Sequence, residues 1–359
     1  MRTDTRTPGG HTLSEILSEP QCWAGCLRAL QESGEIESAL QLLPPRSDWL
    51  FIGCGSSFYI AQAAASSWTA LTGQRARAIP ASDLLLFPHI ALAGVPSQPI
   101  LISRSGHTSE VVKAAELLES KENIRTLAIT CAAGQQLEEV STATLHLLAA
   151  DEQSMVMTRS FTSMLLGLQF LAATIGKQTV FLESLQRLPA LAQAVLDPLP
   201  SRIRQFVDGH DFADYAFLGQ GPFYGVASEA MLKVKEMSCS YAQCFRTLEF
   251  RHGPKSIVSR EVLLGFLLSE SGYEAEREVL EEMKDLGGTT LVVANRADGA
   301  TRQAADFLVE LGLEVPEYAR LTTYLLTFQL LGLFTGVKKG FDPDRPRNLS
   351  RVVVLNNGN

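Results

Sequence analysis

The feature that most constrains the fold is a long internal repeat. Three segments recur in the same order: 51–55 as 217–221, 101–106 as 267–272, and 126–130 as 290–294. The first two are displaced by 166 positions and the third by 164. Solenoid repeats have periods of roughly 20–50 residues, so this repeat indicates duplication of a whole domain.

Short apolar runs alternate with helical patterns in both halves, which predicts parallel sheets covered by helices on both faces, an α/β fold. The predicted strands are 49–53, 99–103, 126–130 and 144–148, then 216–219, 263–268, 290–294 and 306–310. Each set follows a long helical pattern, 12–42 and 179–197. Two prolines near 196–201 interrupt the pattern, so we place the domains at 1–197 and 198–359.

Composition narrows the functional class. The 359 residues are 46% hydrophobic and 19% charged, with a formal net charge of −8. This balance disfavours nucleic acid as the main partner, because binding a phosphate backbone needs a basic surface. The sequence shows no apolar run long enough to span a membrane and six scattered cysteines without a zinc-type spacing. We therefore expect a cytoplasmic protein without disulfides, metal or membrane anchor.

The loop that follows the strand at 99–103 is rich in hydroxyls. Ser103, Ser105 and Thr108 lie between an apolar strand and a helix N-terminus, where free N–H groups and the helix dipole favour an anion. Arg104 adds a positive charge. The alternative is a simple N-cap made by Thr108 or Ser109.

The duplicated loop differs in charge. Ser269 and Ser271 repeat the serines, but Glu270 and Glu274 put carboxylates where an anion would lie. We therefore expect anion binding in the first copy and none in the second.

A second strand-to-helix loop contains Gly53, Cys54 and Gly55, followed by Ser56 and Ser57. A lone Gly-x-Gly most often marks a tight turn. Cys54 suits a small buried filler better than a nucleophile, because the sequence shows no base beside it.

The helical pattern at 226–239 carries Glu229, Lys233 and Glu236 on one face. Such a spacing usually forms a solvated ladder of ion pairs. The sharper hypothesis is a carboxylate held near a lysine in a pocket, able to move a proton on a substrate.

His252 lies in a Gly-Pro turn between two cations, Arg251 and Lys255. A loop histidine can exchange a proton near neutral pH, while simple surface exposure is the alternative.

Taken together, these segments resemble the sugar-isomerase (SIS) double-domain family. Its members include the isomerase half of glucosamine-6-phosphate synthase and stand-alone aminosugar-phosphate deaminases and isomerases. The motifs that carry the resemblance are 53–57, 103–108, 158–162, 232–236, 251–254 and 345–349.

The resemblance implies two flavodoxin-like domains and a sugar phosphate held by the loop of Ser103, Ser105 and Thr108. It implies that Ser56 and Ser57 contact the sugar.

The resemblance also assigns catalytic roles. Glu236 matches the carboxylate that shuttles a proton between C1 and C2, with Lys233 beside it. His252 matches a ring-opening histidine contributed by the neighbouring subunit, which implies a homodimer. The family chemistry needs no metal or organic cofactor.

Three departures from the synthase pattern shape the expected function. We expect no amide-hydrolysing domain ahead of the sugar domains. Met157 replaces a small hydroxyl residue, as in the stand-alone isomerases. Arg351 stands where the synthase has the lysine that forms a Schiff base, and we place it among the substrate-binding residues.

We therefore expect a phosphosugar aldose–ketose isomerase or isomerising deaminase acting on an (amino)hexose 6-phosphate. A synthase-type isomerase module and a non-catalytic sugar-phosphate sensor are the alternatives.

Overall fold

The computed structural model describes residues 7–44, 48–94 and 96–352. Within it the chain forms two compact units. The first-sheet unit comprises Glu19–Glu152, Arg159–Pro189 and the residues from Ser350. The second-sheet unit comprises the residues up to Ser18, Gln153–Thr158 and Ala190–Leu349. The domain limit at 197/198 stays a prediction.

The helices, in chain order, are α1 Gly10–Leu17, α2 Glu19–Glu32, α3 Glu35–Leu42, α4 Ser56–Thr72, α5 Ala81–Leu86, α6 Pro88–Ala91, α7 Ser109–Glu116, α8 Gln136–Val140, α9 Arg159–Ile175, α10 Thr179–Leu196, α11 Leu199–Asp208, α12 Phe223–Ser238, α13 Tyr273–Asp285, α14 Gly299–Ala304 and α15 Leu321–Lys338. The single helical pattern expected at 12–42 is three helices. One of its breaks is Gly34, whose φ of 71° lies outside the helical region.

The first sheet consists of parallel strands in the order β2-β1-β3-β4-β5. Their bounds are β1 Asp48–Gly53, β2 Arg75–Pro80, β3 Gln98–Ile102, β4 Leu127–Thr130 and β5 Ala143–His146. The central strands β1 and β3 are buried along their whole length, as continuous apolar runs in a parallel sheet require.

The second sheet repeats this arrangement. Its parallel strands are β6 Asp214–Gly219, β7 Tyr241–Phe245, β8 Val262–Leu267, β9 Thr289–Ala294 and β10 Phe307–Glu310. Their order is β7-β6-β8-β9-β10, the same path as in the first sheet. This is the flavodoxin-like order 2-1-3-4-5, so the expected fold class of two similar α/β domains is confirmed.

The sequence missed one strand in each sheet, β2 and β7. Both lie at a sheet edge and both are partly exposed. Half-exposed edge strands carry mixed polar residues, as in Arg75–Pro80, and so lack the apolar run by which the central strands were found.

Two glycines of α15 set the packing of α12. A Cβ at Gly332 would lie 3.0 Å from the carbonyl oxygen of Lys233, and one at Gly336 would lie 2.2 Å from that of Met237. Because backbone atoms cannot yield like a flexible side chain, glycine at these positions allows the two helices to approach closely. The glycine pair thereby positions the part of α12 that carries Lys233.

Candidate active site

The hydroxyl loop lies at the topological switch point of the first sheet. The strand order reverses between β1 and β3, and ligands of open α/β sheets bind beyond the carboxyl ends of strands at such a point. Ser103–Thr108 follows β3, and the loop before Ser56 follows β1. The two serine clusters predicted from the sequence therefore lie at the carboxyl ends of the two strands between which the strand order reverses.

Within the loop, the side chains fix the backbone. Ser103 Oγ accepts a hydrogen bond from the Gly106 N–H at 3.2 Å and lies 3.1 Å from Thr108 Oγ1. Ser105 Oγ accepts one from the N–H of His107 at 3.2 Å. Gly106 has a φ of 66°, and a Cβ there would lie 2.6 Å from Cβ of Gln135. The loop is thus a tight, preformed turn.

The structure excludes one form of the N-cap alternative, capping by the side chain of Thr108. Thr108 occupies the N-cap position of α7, but its side chain makes no capping hydrogen bond and pairs with Ser103 instead. The first N–H groups of a helix have no partner inside the helix. The start of α7 therefore keeps the donor geometry that suits an anion.

The loop that follows β1 is closely packed. A Cβ at Gly53 would lie 2.5 Å from the backbone of Ser57, so the strand end needs glycine to pass the first turn of α4. Ser56 and Ser57 are both mostly buried. Burial, together with the charge of Glu110, raises the pKa of Cys54 to about 11, which supports the filler interpretation of this thiol.

Arg104 does not extend freely from the hydroxyl loop. Its side chain is 6% exposed, lies 3.4 Å from Glu152 and donates a 3.0 Å hydrogen bond to the carbonyl of Arg351. The guanidinium of Arg351 pairs with Asp151 at 2.6 Å, and both side chains are about half exposed. The expected substrate contacts of Arg104 and Arg351 stay predictions.

The ion cluster of α12 lies in the second-sheet unit. Lys233 Nζ is 3.0 Å from Glu229 Oε1 and 2.5 Å from Glu236 Oε2. The side chains of Lys233 and Glu229 are fully buried, while that of Glu236 is 17% exposed. The solvated-ladder interpretation is therefore wrong, because a buried lysine cannot belong to a hydrated surface.

Burial and charge compete at Lys233. Burial alone would lower the pKa of this amine, but the carboxylates of Glu229 and Glu236 raise it above its ordinary value. Lys233 thus stays an ammonium. The solvent-accessible member of the cluster, Glu236, is a carboxylate held beside a fixed positive charge.

His252 lies on an exposed turn that ion pairs fix in place. Arg251 Nε and Lys255 Nζ each bind Glu282 of α13 at 2.7 Å. Gly253 has a φ of 112°, which only glycine adopts readily. Both flanking cations share one carboxylate, and His252 between them in the sequence is exposed.

The second hydroxyl loop is occupied by carboxylates from its own unit. The Ser269 N–H and hydroxyl donate to Glu276, and the N–H groups of Glu270 and Ser271 donate to Glu317 Oε1 at 2.6 and 3.1 Å. The Ser271 hydroxyl also binds Glu317.

The sequence named other carboxylates for this loop, Glu270 and Glu274. The side chain of Glu270 instead pairs with Arg320 and accepts a hydrogen bond from Asn295 at 2.9 Å. One signal was available, because Glu276 lies 166 positions after Glu110 and therefore has a place in the repeat. Glu317 had no such signal.

The described residues include no cluster of three or more His, Cys, Asp or Glu side chains that could hold a metal ion. In the same part of the chain, no helix is long and apolar enough to cross a bilayer.

The fold and the loop define a class of α/β protein with a hydroxyl-rich loop at the switch point of its first sheet, and comparisons with known proteins identify the family. Residues 44–174 match the SIS domain family. A glutamine–fructose-6-phosphate aminotransferase (isomerizing) from Methanothermobacter thermautotrophicus is 26% identical over 98% of this chain. The chain spans 59% of that relative's length.

Solved structures agree with this assignment. Glucosamine-6-phosphate deaminase from Thermotoga maritima is 28% identical, with a TM-score of 0.78 over 95% of this chain and 100% of that one. Tagatose-6-phosphate ketose/aldose isomerase from Escherichia coli, at 22% identity, shares the fold with a TM-score of 0.80 over 96% of this chain and 100% of its own. The chain is a SIS-domain protein.

Proposed function

We propose that this chain is a phosphosugar aldose–ketose isomerase or isomerising deaminase acting on an (amino)hexose 6-phosphate. The proposal includes a cytoplasmic homodimer that works without metal or organic cofactor. The observation that carries it is the ion cluster of α12, because Glu236 combines solvent access with a buried ammonium 2.5 Å away.

The proposed role of Glu236 is to carry the proton between C1 and C2. As a base, the carboxylate takes the proton from C2; the electron pair of the C–H bond forms a C1=C2 double bond, and the C1=O π pair moves onto O1, which gives an enediolate or its amino equivalent. The same group then returns the proton to C1, while the proton of the C2 hydroxyl or amine moves to O1 and the double bond shifts to C2. A positioned carboxylate of this kind typically contributes about 10²–10⁴-fold to the rate.

The proposed role of Lys233 is to hold the Glu236 side chain in one rotamer through their 2.5 Å contact. Glu229 supplies a second carboxylate 3.0 Å from the ammonium, so the buried lysine has two anionic partners. Breaking a buried cluster of this kind leaves an uncompensated charge and costs several kcal/mol, about 3–5. Substitution of Lys233 should therefore affect folding as well as turnover.

The phosphate is assigned to Ser103, Ser105 and Thr108. Three hydroxyls and the uncapped start of α7 supply neutral donors, which suit a doubly charged ester. Ser56 and Ser57 are proposed to contact the sugar from the neighbouring loop of the same switch point.

His252 is proposed to open the sugar ring in the subunit next to its own. The support is its exposure on a turn fixed by Glu282, together with the family resemblance.

When C2 carries an amino group, proton transfer yields an imine at C2, and water then releases ammonia and leaves the ketose.

We do not propose for this chain the aminotransferase activity after which the Methanothermobacter relative is named. Arg351 cannot form an imine, because a guanidinium stays protonated and has no free amine electron pair. The nearest upstream amines are engaged elsewhere: Lys338 donates to the carbonyls of Val207 and His210, and Lys339 donates to Ser240 at 2.6 Å.

The test is a substrate screen with the wild-type chain and Glu236→Gln. Hexose and aminohexose 6-phosphates are supplied singly, and ketose, ammonia and deuterium uptake from D₂O are measured. We expect one substrate to turn over in the wild type and Glu236→Gln to reduce turnover by about 10²–10⁴-fold with little change in affinity.

The matched control is Glu314→Gln, which removes an exposed ion-paired carboxylate of the same unit. It should leave the rate unchanged. Binding without deuterium uptake in the wild type would favour a sensor, and near-normal turnover in Glu236→Gln would place the proton shuttle at another residue.

A further inference from the structure

We propose that Arg104 is a positioning residue that fastens the C-terminal segment at Ser350–Arg351 to the hydroxyl loop. The inference rests on the proposed function and reassigns one of its residues. In place of a direct contact with the phosphate, Arg104 holds the backbone at Arg351 beside the loop to which it belongs.

The first observation is that the two terminal nitrogens of the Arg104 guanidinium have different partners. One terminal nitrogen faces Glu152 at 3.4 Å, and the other donates to the main-chain carbonyl of Arg351 at 3.0 Å. Glu152 is itself buried, and it accepts hydrogen bonds from the N–H and hydroxyl of Ser160 at the start of α9. Arg104 is therefore anchored at one end and reaches the C-terminal segment with the other.

The second observation is a parallel contact one residue away. Asp151, which precedes Glu152 in the chain, binds the guanidinium of Arg351 at 2.6 Å. The segment is thus held at two points, by Asp151 through the side chain of Arg351 and by Arg104 through its backbone carbonyl. The segment from Ser350 belongs to the first-sheet unit although residues 190–349 do not.

The two contacts differ in physical weight. The Asp151–Arg351 pair is about half exposed, and exposed pairs contribute little. The Arg104 side chain is buried, and its part-buried hydrogen bond to Arg351 has a charged donor, so this contact is the stronger of the two. Arg104 also neighbours Ser103 and Ser105 in sequence, so any shift of the loop backbone reaches the C-terminal segment directly.

The two roles considered for Arg104, phosphate ligand and positioning residue, lead to different expectations for phosphate binding by a variant that lacks it. We expect Arg104→Ala to keep the dissociation constant for inorganic phosphate within about threefold, while turnover of the sugar phosphate falls about tenfold or more. A direct ligand would instead lose about tenfold or more in phosphate affinity, because a charge-assisted hydrogen bond is lost. That result would overturn the inference.

A readout that needs no turnover is trypsin cleavage after Arg351. Trypsin must bind both the side chain and the carbonyl of the arginine it cleaves, and both are engaged here. Cleavage after Arg347, which is exposed and lies over the ring of Phe341, serves as the internal reference. We expect the ratio of cleavage at 351 to that at 347 to rise about tenfold in Arg104→Ala.

Two further variants guard against simple misfolding. Arg104→Lys keeps the charge beside Glu152, but its single ammonium cannot reach both partners as the two terminal nitrogens of a guanidinium do. This variant should therefore keep its stability and still be cleaved faster by trypsin after Arg351. Arg320→Ala removes a similar buried arginine from the second-sheet unit, one that pairs with Glu270 and binds main-chain carbonyls. It should leave the cleavage ratio unchanged.

The outcomes separate the two proposals. Equal ratios in the wild type and both Arg104 variants would overturn the positioning role. A raised ratio in a chain that turns over no sugar phosphate would support the positioning role and count against the proposed function alone.

Discussion

The loop after β3 and the loop after β8 occupy the same place in two sheets of one topology, yet their donors are used differently. In both, a serine oxygen accepts from a glycine N–H, Ser103 from Gly106 at 3.2 Å and Ser269 from Gly272 at 2.9 Å. In the first loop the hydroxyl of Ser103 pairs with Thr108. In the second it binds a carboxylate of the same unit.

The difference shows how a duplicated loop can keep its shape while carboxylates of the same unit bind its donors. Glu317 accepts three hydrogen bonds from the second loop, two from N–H groups and one from a hydroxyl. Those are the donors that would otherwise hold an external anion. The corresponding repeat position of Glu276 in the first copy is Glu110, whose Oε2 has no hydrogen-bond partner among the described residues.

The largest contrast should come from placing one carboxylate in each loop. Ser105→Glu puts a negative charge where we assign the phosphate, and at about 4 Å the repulsion reaches several kcal/mol, about 4 at intermediate dielectric. We expect phosphate-ester affinity to fall at least about 100-fold in Ser105→Glu and to stay unchanged in Ser271→Glu, by calorimetric titration. Equal effects in the two loops would remove the asymmetry.

A smaller effect should follow from emptying the second loop. The double variant Glu276→Ala/Glu317→Ala frees the donors of Ser269 and Ser271 beside a cavity of about 310 Å³. We expect calorimetry with inorganic phosphate to show a second, weak site per chain. If one site remains while the variant stays folded, the carboxylates are not what excludes the anion.

The smallest effect concerns pH. Burial raises the pKa of Glu276 above its ordinary value of 4.5, against the lowering effect of its bonds to Ser269. A carboxyl with a raised folded-state pKa favours folding most when protonated, so its contribution is present below pH 4.5 and lost as pH rises through the raised pKa.

Glu276→Gln removes this titration. The free energy of unfolding of the wild type, relative to that of the variant, should therefore decline as pH rises across this window, as measured by urea denaturation. Parallel pH profiles for the two chains would contradict the sign of the shift.

Local pattern predicted much of this molecule, and long-range contacts account for most of what it missed. The central strands and the hydroxyl loop were found because apolar runs and strand–loop–helix order are sequence-local. The bonds from Arg104 to Glu152 and Arg351, by contrast, join residues 48 and 247 positions apart. Spacing along the chain cannot reveal whether an arginine points outward or is held inside.

The α12 cluster illustrates the same limit. The spacing of Glu229, Lys233 and Glu236 correctly predicted that they share a helix face, but it could not distinguish a solvent-exposed face from a buried one. The backbone at Lys233 packs against Gly332 of α15, which is 99 positions later in the chain, and local spacing cannot reveal such a contact.

The glycine pair of α15 offers a criterion for comparing relatives. A side chain at position 336 would have to displace the α12 backbone at Met237, and with it the turn that bears Lys233 and Glu236. The spacing Gly332-x-x-x-Gly336 is therefore coupled to the chemistry assigned to α12, although neither glycine contacts a substrate. A related sequence that keeps the lysine and glutamate but carries bulky residues at both glycine positions should not inherit the same catalytic assignment.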